Sequence, residues 1–113
     1  MKGLKISGMM IALALSATST LAQDFTDGMI DYDVATEAGD VIGGARACDY
    51  ELDMGKVEAF IQYRIASMGG DDRSAFRSSV DTRDYSLRQM AGNERKAQCI
   101  LQRELAKKYG FAK

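Results

Sequence analysis

From Cys48 onward the apolar residues recur at helical intervals. Tyr50, Met54, Val57, Ile61, Ile65 and Met68 follow one another by three or four positions and form a single stripe. The spacing predicts a first helix over 50–68, opened by Asp49 or Asp53 accepting backbone N–H bonds and closed by a left-handed residue at Gly69-Gly70. A short second helix, capped by Asp71 or Asp72, turns Ala75, Phe76 and Val80 inward. A third, opened by Thr82 or Asp84, carries Tyr85, Leu87 and Met90 and ends at Gly92. The last helix is expected over 94–108, capped by Asn93 and stopped by Gly110. Its regular seam is Ala97, Leu101 and Leu105, and Lys107 and Lys108 suit the negative end of its dipole.

Upstream of this region the pattern changes. Ile30, Tyr32 and Val34 alternate with Asp31 and Asp33, which is strand periodicity, but the run is short and Gly28, Gly39, Gly43 and Gly44 interrupt its surroundings. Residues 23–45 hold six acids (Asp24, Asp27, Asp31, Asp33, Glu37 and Asp40) and no base. They are expected to form an acidic leader, flexible or as one extended piece, ahead of a helical domain over 46–113. The fold class is therefore all-α: a small bundle of three to four helices behind that leader.

The beginning of the chain has the layout of a secretory signal peptide. Lys2 and Lys5 precede an apolar run over 6–18, and Thr20-Leu21-Ala22 places small residues three and one before a cut after Ala22. The run falls short of the roughly 20 residues that span a bilayer. Cleavage leaves residues 23–113 with 13 bases against 16 acids. The periplasm is the expected address, with secretion as the alternative.

Export gives the two cysteines their meaning. Cys48 and Cys99 are the only thiols and would meet an oxidising compartment, so a single structural disulfide is expected. Closing a loop of about 52 residues removes unfolded-state entropy worth about 4 kcal/mol. No Cys-x-x-Cys pair or neighbouring histidine supports redox or metal chemistry. On a helical projection Cys99 points away from the Ala97, Leu101, Leu105 seam. If it is bridged to Cys48, the last helix must be contacted on two sides.

Composition narrows the chemistry. With no histidine there is no Ser/His/Asp triad, no Cys/His pair and no His-ligated zinc. Laying a calcium loop over 23–34 puts Gln23, Phe25 and Val34 at ligand positions, so the acids there read as solvated. Asp71-Asp72-Arg73 and the acids over 81–84 suit helix caps better than paired acid and base, and the serines near 74–79 have no base partner besides arginine. Met54 and Met68 lie in the first stripe as core filling, with no Met cluster for copper. No catalytic residue, metal, cofactor or small-molecule substrate is implied.

What remains is surface. Lys96, Arg103 and Lys107 share one narrow face of the last helix, suited to an acidic partner, anionic headgroups or the chain's own leader. Nucleic acid is not expected, since the overall balance is acidic and no aromatics interleave with these bases. The expectation is a non-enzymatic exported binding or accessory protein whose partner is another envelope protein. A membrane surface is a further docking option without a span. The alternatives are an acid- or envelope-stress chaperone that unmasks apolar stripes at low pH, and an inhibitor of an envelope enzyme.

Overall fold

The computed structural model describes residues 30–113, and the predicted signal peptide lies outside them. Among the described residues five helices form an all-α bundle: α1 (Asp31–Gly43), α2 (Ala45–Cys48), α3 (Met54–Phe60), α4 (Gly70–Arg88) and α5 (Gly92–Tyr109). A π-helical turn, Ile61–Ile65, prolongs α3, with the Ala66 amide bonded to the Ile61 carbonyl at 2.9 Å. The Cys48–Cys99 disulfide is present, its Cα atoms 5.1 Å apart.

The acidic leader is corrected first. From Asp31 onward it is helix, and Val34, Ala35, Ala38 and Val41 are fully buried at the centre of the main core. Residues 23–29 of that leader lie outside the described residues. Strand-like alternation at Ile30, Tyr32 and Val34 loses to the longer helical period of Val34, Ala38, Val41 and Ile42. Gly39 and Gly43, which argue against a helix by propensity, are required by packing. A Cβ on Gly39 would lie 2.7 Å from the Phe76 carbonyl and the Ser79 Cβ, and one on Gly43 would lie 2.9 Å from the Val80 Cα. The missing side chains let α1 cross directly against the backbone of α4, so close contact offsets the roughly 1 kcal/mol each glycine costs a helix.

The second and third predicted helices are one, α4. Its interior lacks a break because Thr82 and Asp84, proposed as caps, sit within a continuous ladder; Asp84 instead pairs with Arg88 at 2.8 Å. Asp71 and Asp72 occupy its first turn without a side-chain cap, where the helix dipole favours them. Gly69 and Gly70 are not left-handed: Gly69 is extended and Gly70 begins α4. Gly92 likewise opens α5, with Ala91 as its N-cap in place of Asn93. The left-handed glycine is Gly110 (φ 79°), which ends α5 as expected. Asp53, one of two expected caps, accepts from the Lys56 amide at 3.3 Å, whereas Asp49 is a left-handed residue (φ 58°) closing α2.

The first stripe survives in its deeper members. Val57, Ile65 and Met68 are buried, Tyr50 and Ile61 half-buried, and Met54, in the opening turn of α3, is exposed. Beyond Gly110 the chain turns back onto α3. Phe111 is fully buried and packs edge-on against Phe60 at 5.1 Å and stacked on Tyr109 at 5.3 Å. Its carbonyl accepts from the Asp53 amide at 2.7 Å.

Candidate functional site

The buried edge of α5 is not the leucine seam. It consists of Cys99, Gln102, Ala106 and Tyr109, spaced by three or four residues, while Leu101 is 57% exposed and Ala97 is exposed. Cys99 and Leu101 thus face different surroundings, but the second contacted side that the projection called for is not found: the buried residues of α5 all lie along the one edge that carries the disulfide, and the leucine seam is left largely outward. The disulfide and the polar residue Gln102 select this edge, and it leaves two flanks outward.

Gln102 organises the edge. Its side-chain oxygen accepts from Arg83 Nε at 2.6 Å, and its amide donates to the Tyr50 hydroxyl at 3.0 Å and the Asp40 carbonyl at 3.2 Å. The Tyr50 hydroxyl in turn donates to the Val41 carbonyl. Arg83 also donates to Gln98 at 3.1 Å. One amide therefore joins α1, α4, α5 and the segment after α2. Burial pushes the Tyr50 hydroxyl pKa up, against the opposing hydrogen bond from Gln102. Tyr109 is pushed up by burial and by Glu37, to which its hydroxyl donates at 3.0 Å.

One flank carries the predicted basic row. Lys96 is exposed and lines a shallow depression of about 290 Å³ beside the disulfide, together with Arg95 and Arg103. Arg103 donates to the Cys48 carbonyl at 2.6 Å, so it holds the C-terminal end of α2 as well as presenting charge. Lys107, further along, pairs with Glu104 at 3.2 Å. The three residues share a face of α5; Lys96 and Arg103 meet at the depression, and Lys107 borders a neighbouring one beside Tyr50 with Arg103.

The other flank emerges only in three dimensions. Between α1 and α5 runs a groove of about 460 Å³. Asp33, Glu37 and Asp40 form its α1 wall, Leu101 and Leu105 its α5 wall, and Arg83 reaches it from α4. Its trace in the sequence is the set of acids at 33, 37 and 40, a helical spacing obscured when the segment is read as a leader. Burial raises the Asp40 pKa, Arg83 opposes this, and Glu37 adds to it.

Among the described residues no group of three Cys, Asp or Glu side chains is placed to hold a metal ion, and no helix is long and apolar enough to cross a membrane. Of the acids laid over a calcium loop, Asp31 and Asp33 lie in the first turn of α1, while Asp24 and Asp27 are outside the described residues. No protein-family model matches the chain, and neither a curated protein nor a solved structure shows significant similarity to it.

Proposed function

We propose that this is an exported, non-enzymatic binding protein of the envelope, acting on a partner protein through the basic flank of α5. The observation that carries the reading is the fixing of Arg103 by the Cys48 carbonyl beside the disulfide that anchors Cys99. Charge held on a stapled scaffold loses little freedom on association, so more of its attraction appears as affinity. The disulfide supports an oxidising compartment, and the N-terminal sequence pattern supports the periplasm as its location. An envelope enzyme held by this flank would make the protein an inhibitor and would give a tight stoichiometric complex. Reversing Lys96 and Lys107 to glutamate, with Arg103 kept for its structural bond, should remove the partner recovered by crosslinking in the native envelope. Unchanged partners would eliminate this flank.

A second reading, an acid-stress chaperone, is favoured by the position of α1. It precedes Cys48 and lies outside the covalent loop, and Asp31 fastens it to Arg64 at 2.9 Å. At low pH the 13 bases of residues 23–113 are left without compensating charge, and their self-repulsion loosens the bundle; α1, which no crosslink holds, becomes the element freed to expose Val34 and Val41 while the crosslink retains the rest. Suppression of a client's aggregation at about pH 2–3, together with loss of near-UV circular dichroism, would support it; full near-UV signal there would oppose it.

A further inference from the structure

The groove between α1 and α5 is independent of the basic flank and has a different chemistry. Asp33, Glu37 and Asp40 are spaced by four and three residues, so their carboxylates follow one side of α1. Opposite them Leu101, 57% exposed, stands uncovered beside Leu105, which is half-buried against the main core and lines the same wall. The cation lining the groove, Arg83, is already engaged by Gln98 and Gln102. Asp33 has no side-chain partner among the described residues. The groove thus presents a negative wall with an unmet demand for positive charge beside an apolar wall with an unmet demand for cover.

We propose that this groove docks a cationic amphipathic helix from a partner protein, with its lysine or arginine row against Asp33, Glu37 and Asp40 and its apolar edge on Leu101 and Leu105. A helix is the occupant whose side chains repeat at the spacing of the wall. Binding a helix in a groove through anchors at three- and four-residue intervals is a recurrent recognition mode. A peptide that is merely basic would satisfy the acids and leave the leucines in water. One that is merely apolar would bury the carboxylates without counter-charge, at a desolvation cost. The raised Asp40 pKa agrees with this, because an arriving cation would offset the burial that now disfavours its charged form.

The test titrates the protein, as exported by its host, with a fluorescent synthetic peptide of lysine and leucine in helical amphipathic order, and with a scramble of the same composition. The ordered peptide should bind at least about tenfold more tightly than the scramble and weaken as salt rises. Asp33→Asn with Glu37→Gln should lose that preference, as should Leu101→Ser, while Glu51→Gln with Glu58→Gln, away from the groove, should keep it. Retention of the native circular dichroism spectrum by each variant separates lost docking from lost folding. Equal binding of the two peptides, or a preference untouched by the groove variants, would overturn the proposal. Concentration-dependent self-association abolished equally by the groove variants and by Lys96→Glu with Lys107→Glu would also overturn it, by making a second copy the occupant.

Discussion

At the residue scale the interior is held by a few polar side chains with several partners each, and Gln102 is foremost among them. Replacing it with leucine would strip hydrogen bonds from Arg83 and from the Tyr50 hydroxyl in a buried setting. Leaving such groups unsatisfied costs about 1–3 kcal/mol. Gln102→Leu should lower the unfolding free energy measured by urea titration by that order, whereas Gln98→Leu, which removes one contact to Arg83, should cost clearly less. Asp40 gives a pH signature of opposite character. Its folded pKa is raised by burial, so the folded state holds the proton more tightly than the unfolded chain does. The associated stability is present below the ordinary carboxylate range and is lost as pH rises through the folded pKa. Asp40→Asn should therefore be more stable than wild type at pH 7, with the advantage vanishing towards about pH 4, as read by chemical denaturation at both values. A variant less stable at pH 7 than at pH 4, relative to wild type, would show that Arg83 outweighs the burial.

At the element scale the crossing of α1 on α4 is the tightest contact, and it depends on absent side chains. Gly39→Ala should lose about 1–3 kcal/mol in thermal unfolding through forced separation, despite alanine's better helix propensity. Gly92→Ala, where a Cβ meets nothing within 4 Å, should gain about 0.5 kcal/mol in the same assay. The pair also explains what is legible in advance. Val57, Ile65 and Met68 announce α3 because large apolar residues at helical intervals have few alternatives. In α1 the glycines read as breakers, since their purpose is a backbone approach to Phe76, Ser79 and Val80, far along the chain. In α5 the leucines are the obvious seam, yet the buried edge contains a cysteine, a glutamine and an alanine, whose burial follows from the disulfide and a hydrogen-bond network. Phe111 gives no periodic signal because it follows the helix stop, although it fills the core between Phe60 and Tyr109. Phe111→Ala should cost about 3–5 kcal/mol by denaturant titration.

At the scale of the whole molecule, one covalent link joins α2 to α5, the helix that carries both the basic flank and the leucine wall of the acidic groove. The basic row is legible in the sequence because lysine and arginine on one helical face need no tertiary knowledge. The acidic groove requires knowing that a second helix lies alongside. The link also connects architecture to location, because it persists where thiols are oxidised. Alkylation under denaturing, non-reducing conditions followed by intact-mass measurement, on protein recovered from its native host, is therefore the most direct test. The account predicts a chain beginning at Gln23, two hydrogens lighter than the open dithiol and carrying no alkyl group. A chain retaining residues 1–22 with Cys48 and Cys99 both alkylated would contradict the clamp and the exported location together.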